Sequence, residues 1–370
     1  MSNTLKLLAD EGVSIWLDDL SRQRLTSGDL ARLISEGVVG VTTNPTIFHD
    51  ALHDSEHYDA DLRNLARLGV SPADVARILA CGDVRAACDV LRPVYEASDG
   101  RDGLVSIEVD PGWAHDIHRT VAEADLLWWL VARPNVMIKI PSTPAGLSAV
   151  TACLAKGISV NVTLIFSLDR YGEVLNAFLD GMDLALQNGH DLTKIACVAS
   201  FFVSRVDTEV DKRLDALGTD QAKALRGRAA IANAILAYQA FEHTLQGERW
   251  GALAAAGARP QRPLWASTGV KDPAYEDTRY VIELVAPNTV NTVPEPTLAA
   301  VVDHGQVRGN QVTDRYDEAR RVFEQLATLG IDMNEVGAVL EREGVSKFQQ
   351  SWRTLTLTIA TALAAHRSEF

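Results

Sequence analysis

Lys139 stands inside VMIKI (136–140), an apolar run in which Val136, Ile138 and Ile140 share one parity and Lys139 shares the other with Met137. Free lysine is almost wholly protonated at neutral pH, and an unpaired buried ammonium is too costly to keep. Desolvation favours the neutral amine and nearby carboxylates favour the charged one; a desolvated amine is a nucleophile toward carbonyls. The Schiff base that forms is an electron sink. It permits cleavage of the carbon–carbon bond one atom beyond it and stores the carbanion as an enamine. One carboxylate must exchange the proton of the hydroxyl on the carbon being cleaved. Another must guide the water used in forming and hydrolysing the imine. Asp18 and Glu108 are the available pair. Thr163 suits that water, and Asn44 and Asn161 suit substrate hydroxyls.

Strands must bring these residues together. Apolar, β-branched runs occur at 13–17, 38–42, 104–109, 136–140, 159–165, 195–200, 263–267 and 288–292. Between them lie segments with a period near 3.6, such as SPADVARILACGDVRAACDVL (71–91), HDIHRTVAEADLLWWLVA (115–132) and SLDRYGEVLNAFLDGMDLALQ (167–187). Alternating strand and helix over the whole chain predicts a (β/α)8 TIM barrel, in the α/β class. A mostly helical insertion is expected over 204–262, after strand 6. A helical C-terminal extension is expected over 296–370, its last helix in SKFQQSWRTLTLTIATALAAH (346–366). No Ser/Gly/Pro-rich linker divides the chain, so residues 1–370 read as one domain. The competing architecture is an open doubly wound sheet, but neither GxGxxG nor GxxxxGK follows strand 1.

Side chains alternate along a strand, and in a barrel the chemistry-bearing groups sit at the C-terminal ends. Ile15 and Leu17 share one parity, Trp16 and Asp18 the other. In strand 3, Val105, Ile107 and Val109 face the helices, leaving Ser106 and Glu108 inward. In strand 5, Val160, Val162 and Leu164 face out, leaving Asn161 and Thr163 inward. Strand 6 ends at Ser200, and strand 2 runs into TTNP with Asn44 at its mouth. Asp18, Glu108, Lys139, Asn161, Thr163 and Ser200 are therefore expected to converge near one rim.

Composition narrows the function classes. Apolar residues make up 47% and charged residues 23%, ordinary globular usage. Net charge is −14 with no basic block, against a nucleic-acid or anionic-membrane surface. A small anionic ligand needs only a few local cations. Cys81, Cys88, Cys153 and Cys197 form no CxxC pair and read as buried reduced thiols, as in a cytoplasmic protein. The N-terminal MSNTLKLLADEG has no apolar core of a signal peptide, and no charge-free apolar run is long enough for a membrane helix.

Six segments together resemble the transaldolase family: LDDLSR (17–22), GVTTNPTIF (40–48), SIEVD (106–110), IKIPST (138–143), NVTLIFS (161–167) and ASFFVSRVD (199–207). TTNP and IK-x-x-ST are the most specific. The resemblance covers roughly residues 10–300, and WASTGVKDPAY (265–275) looks like the larger bacterial branch. It implies that Lys139 is the Schiff-base lysine and that Asp18, first of the LDDLSR acids, is the general acid/base. Glu108 and Thr163 would handle the catalytic water. Asn44, Asn161 and Ser200 would position the substrate chain, Phe202 would line the site, and Arg205 would bind phosphate. The implied reaction moves a dihydroxyacetone unit from sedoheptulose 7-phosphate to glyceraldehyde 3-phosphate in the pentose phosphate pathway, without metal or organic cofactor. Smaller members place an arginine just after the strand-7 serine. Here Ser267 is followed by Thr268, Gly269, Val270 and Lys271, so Lys271 is expected to replace it.

Three other readings compete. One is simple aldol cleavage releasing free dihydroxyacetone, as in fructose-6-phosphate aldolase. Another is a zinc-dependent aldolase using His49, His53 and His57, which would line one face of a helix at i, i+4 and i+8. The third is a non-catalytic sugar-phosphate-binding barrel. Monomer and homodimer both stay open.

Overall fold

The computed structural model describes residues 3–53 and 56–367, the His53 side chain excepted. Eight parallel strands close into a barrel: β1 (Val13–Leu17), β2 (Gly40–Val41), β3 (Leu104–Glu108), β4 (Val136–Pro141), β5 (Val160–Ile165), β6 (Cys197–Phe202), β7 (Arg262–Ala266) and β8 (Thr289–Val293). They pair in chain order, and β8 returns to β1. The TIM barrel and all eight strands match the sequence pattern. β2 is shorter than its apolar run, yet the ladder extends beyond it: Val39 N–H donates to Ile15 O and Thr42 N–H to Leu17 O.

Gly40 shows why β2 carries so little side chain. A Cβ there would lie 2.5 Å from the Trp16 ring, which fills the barrel interior from β1. At the N-terminal ends of the strands, Arg262 reaches inward. Its guanidinium donates to Ser14 Oγ at 2.8 Å, Arg101 O at 2.6 Å and Asp102 Oδ1 at 3.1 Å. That end of such barrels serves stability rather than chemistry.

Helices outside the barrel start where local chemistry satisfies free N–H groups. Ser71 caps Pro72–Ala97, Thr143 caps Pro144–Leu154 and Ser167 caps Leu168–Gln187; the first two have proline at the first helical position. After β6 come Ser204–Leu217, Asp220–Lys223, Ala229–Leu245 and Glu248–Ala255. After β8 come Glu295–His304, Tyr316–Thr328 and Met333–Arg367. The last starts well before the segment that carried its helical pattern, because Val336, Leu340 and Phe348 continue one buried stripe. It runs over the strand ends, where Gly337 lets it approach Ser167 and Gly344 lets it approach Leu164.

The four cysteines are free and buried, and burial pushes the Cys81, Cys153 and Cys197 thiols up to about 12. Among the described residues no helix is long and apolar enough to cross a membrane.

Candidate active site

A cavity of about 240 Å³ opens at the C-terminal ends of the strands. Asp18, Asn44, Lys139, Thr163, Ser200, Phe202, Arg205, Ser267 and Lys271 line it, all of them residues singled out from sequence. Strand register builds its floor. Glu108 pairs with Lys139 across β3 and β4, and Lys139 with Asn161 across β4 and β5.

Lys139 is 4% exposed. Its Nζ donates to Thr43 O at 3.0 Å and lies 3.5 Å from Glu108 Oε2. Phe348, from the C-terminal helix, sets its ring 5.6 Å from the same nitrogen. The amine thus has one carbonyl, one carboxyl and an aromatic wall around it. Burial pushes the Glu108 carboxyl up to about 7, although Lys139 draws it down. Beyond that ion-pair contact, neither Glu108 oxygen has a hydrogen-bond partner among the described residues, and the buried Thr163 hydroxyl has none either.

Asp18 is also raised by burial, against the pull of Lys139 and a hydrogen bond from Thr42. Thr42 Oγ1 donates to Asp18 Oδ1 at 2.8 Å and lies 2.6 Å from Thr292 Oγ1. A hydroxyl has one proton to give, so Thr292 donates to Thr42 and Thr42 to the carboxylate. The neighbouring Asp19 turns away and accepts from Arg24 at 2.8 Å. Asp18, which shares the parity of the inward Trp16, is thus the acid of the pair that lines the cavity.

Three residues expected to contact substrate, Asn161, Ser200 and Asn44, also bond within the protein. Asn161 Nδ2 donates to Ser106 Oγ at 3.0 Å and its Oδ1 accepts from Ser200 Oγ at 2.7 Å, a chain across the barrel interior. Asn161 and Glu108 are not among the residues that line the cavity. Asn44 Oδ1 caps the helix Pro45–His53, accepting from Thr46 N at 3.0 Å and Ile47 N at 3.1 Å. Its amide nitrogen is the end left for the cavity.

The backbone departs from regular strand at two points beside the site. Leu164 has φ +62° and sits in a bulge of β5 between Val162 and Ile165. Ser267 has φ +56° and its hydroxyl is 2.9 Å from Ser204 Oγ. Such conformations cost about 1–3 kcal/mol each and persist where surrounding structure imposes them. Here they turn the chain sharply after Thr163 and after Ala266, re-aiming the residues at the rim.

On the cavity wall, Phe202 packs 5.0 Å from Phe166, and the Arg205 guanidinium lies 5.2 Å over the Phe202 ring. Thr42, Thr292, Lys347 and Phe348 also line the cavity and were not assigned from sequence. Thr42 and Thr292 were findable, since each has the inward parity of its strand. Lys347 and Phe348 lie on a helix distant in sequence, where strand parity says nothing.

The helix Pro45–His53 ends before His57, which lies in a separate turn, Glu56–Tyr58. The three histidines therefore do not share one helix face; the His53 side chain lies outside the described residues. Among the described residues no three His, Cys, Asp or Glu side chains gather as a metal-ligand set.

The fold and site define a (β/α)8 protein whose chemistry-bearing side chains converge at the C-terminal rim around one buried lysine. The transaldolase/fructose-6-phosphate aldolase family model matches residues 15–359. The chain is 60% identical over 367 residues to a transaldolase of Thermobifida fusca, covering 99% of this chain and 100% of that protein. It is 59% identical to transaldolase 2 of Streptomyces coelicolor over 96% of each chain, and 57% identical to a transaldolase of Frankia alni over 98% of each. The chain belongs to the transaldolase/fructose-6-phosphate aldolase family.

Proposed function

We infer that this chain is a transaldolase, moving a dihydroxyacetone unit from sedoheptulose 7-phosphate to glyceraldehyde 3-phosphate through a Schiff base on Lys139. The observation that carries the residue assignment is the buried Lys139 amine, 3.5 Å from a Glu108 carboxyl poised near neutrality. A carboxyl titrating near the working pH both gives and takes protons at useful rates.

Lys139 attacks the ketose carbonyl, and loss of water leaves the protonated imine. Glu108 and Thr163 have unpartnered buried oxygens close to the amine's strand, and such oxygens suit a water held between them. Glu108 activates that water for imine hydrolysis and protonates it as it leaves during imine formation. Asp18 takes the proton of the hydroxyl on the carbon being cleaved. Electrons of the breaking carbon–carbon bond flow into the imine, the aldose phosphate departs and the three-carbon enamine stays bound. The acceptor aldehyde enters, the enamine adds to it, and Asp18 returns the proton. Hydrolysis releases fructose 6-phosphate and frees Lys139. Thr42 keeps Asp18 oriented and favours its charged form, the base needed first. The substrate phosphate lies toward Arg205 and Lys271.

The test is borohydride reduction in the presence of fructose 6-phosphate, followed by peptide mass spectrometry. An adduct on Lys139 is expected. Labelling elsewhere, or none with turnover intact, overturns the assignment. Free dihydroxyacetone accumulating without an acceptor would instead indicate simple aldol cleavage.

A further inference from the structure

Arg205, Lys271 and Lys347 reach the same cavity wall from three separate elements. Arg205 is the second residue of the helix Ser204–Leu217, Lys271 lies in the loop after β7, and Lys347 lies midway along Met333–Arg367. Among the described residues none of the three side chains forms an ion pair or hydrogen bond with another residue. This happens in a chain of net charge −14, where most other arginines have a carboxylate beside them. Asp18 and Glu343 act on Arg205 through space without pairing with it, and like charges gathered at one spot destabilise the fold where ion pairs or a ligand do not compensate them.

We propose that Lys347 is the third member of a cationic cluster that takes the substrate's phosphate dianion. The C-terminal helix is then part of the phosphate subsite rather than a passive cover. This deepens the reading above and rests on it for the identity of the sugar.

Three features support the assignment. Arg205 is the largest influence pulling the Lys347 ammonium down, ahead of burial, and Lys271 acts in the same direction, so the three charges lie within mutual reach. Arg205 is held against Phe202 and leads a helix of 14 residues, whose N-terminal dipole adds to the positive field. The Lys347 helix is itself fixed on the rim: Thr46 Oγ1 lies 2.8 Å from Ser351 Oγ, and Gln349 Nε2 donates to Pro111 O at 3.2 Å. Its neighbour Phe348 meets Lys139 on the cavity floor. One turn of one helix therefore supplies both an aromatic wall to the reacting amine and a cation to the same cavity.

Lys347→Met is expected to raise KM for fructose 6-phosphate about tenfold with kcat changed less than about threefold. KM for unphosphorylated dihydroxyacetone as donor stays put, and Lys347→Arg restores most of the loss. With inorganic phosphate as probe, the rise in Tm that millimolar phosphate gives the wild type shrinks in Lys347→Met. Without phosphate this variant melts at or above the wild-type temperature, because one like charge is gone. An unchanged KM for fructose 6-phosphate, equal KM changes for phosphorylated and free donors, or an unchanged phosphate effect on Tm would each overturn the proposal. Borohydride labelling of Lys139 in the same variant separates the two readings: retained labelling with an unchanged KM removes the cluster and leaves the Schiff base.

Discussion

Glu108 and Lys139 are register partners across β3 and β4, and their charged ends lie 3.5 Å apart inside the barrel. Both side chains are nearly inaccessible, Glu108 at 3% and Lys139 at 6%. Burial disfavours the charged form of Glu108, and Lys139 opposes it. The result is a carboxyl that titrates near neutrality next to an amine positioned for attack on a carbonyl.

Lys139→Met is expected to abolish turnover and borohydride labelling while leaving the fold intact. Its stability cost should depend on pH. Lys139 is the group that draws the Glu108 carboxyl down, so without it the carboxyl rises above about 7 and is neutral at pH 6. A neutral buried acid costs little. At pH 8.5 the same site must bury an unpaired carboxylate or take up a proton on folding. Urea titrations at the two pH values should show a small deficit at the lower and a larger one at the higher. A deficit independent of pH would mean that Glu108 does not depend on Lys139.

Glu108→Gln isolates the titration itself. The folded-state value near 7 lies above the ordinary 4.5, so the folded protein binds this proton more tightly than the unfolded chain does. The stabilisation is fully present below about 4.5, declines as pH rises, and is gone above about 7. Relative to wild type, Glu108→Gln should gain on the order of 3 kcal/mol between those limits. Asp18 and Asp207 shift in the same direction, but they remain in both proteins and cancel in the difference. Turnover should fall about 10²–10⁴-fold, with imine formation and hydrolysis as the slowed steps in rapid-quench trapping.

Asp18→Asn should separate the two halves of the reaction. Labelling of Lys139 persists, whereas release of the aldose phosphate slows about 10²–10⁴-fold. Thr42→Val is the milder probe. It removes the hydroxyl that holds the Asp18 carboxylate, so the acidic limb of the kcat profile moves upward by under about one pH unit, the equivalent of ~1 kcal/mol. A downward move would show that Thr42 favours the protonated acid.

The barrel and its floor were legible in the sequence because both obey a period of two. Ile138 and Ile140 face the helices, which leaves Lys139 no direction but inward; the same reasoning placed Glu108, Thr163 and Asp18. It could not foresee that Asn161 would be engaged on both sides by Ser106 and Ser200: the first bond crosses the barrel interior from β5 to β3, past β4, and the second joins neighbouring strands, where parity names the face but not the partner. It also could not foresee Phe348 and Lys347. A helical side chain's destination depends on where the helix docks, and that is set by close approaches such as Gly344 on Leu164. The expected single helix face for His49, His53 and His57 does not form, because the helix carrying His49 stops before His57.

The insertion after β6 makes a prediction of its own, because it holds the loop that carries Lys271. Tyr275 OH donates to Asp211 Oδ2 at 2.6 Å, Arg226 pairs with Asp272 at 2.8 Å, and Arg279 donates to Gly227 O at 2.6 Å. Asp211 is on the helix that begins beside Arg205, so one helix fixes both Arg205 and the loop bearing Lys271. Tyr275→Phe removes a single hydroxyl and leaves an oxygen of the buried Asp211 carboxylate unmatched, a loss of roughly 1–3 kcal/mol in stability. The loop then samples positions in which Lys271 is off the cavity wall. KM for phosphorylated donors should rise several-fold, kcat should hold, and free dihydroxyacetone should be used as before. If kcat falls and KM does not, the loop serves the reacting centre rather than the phosphate end.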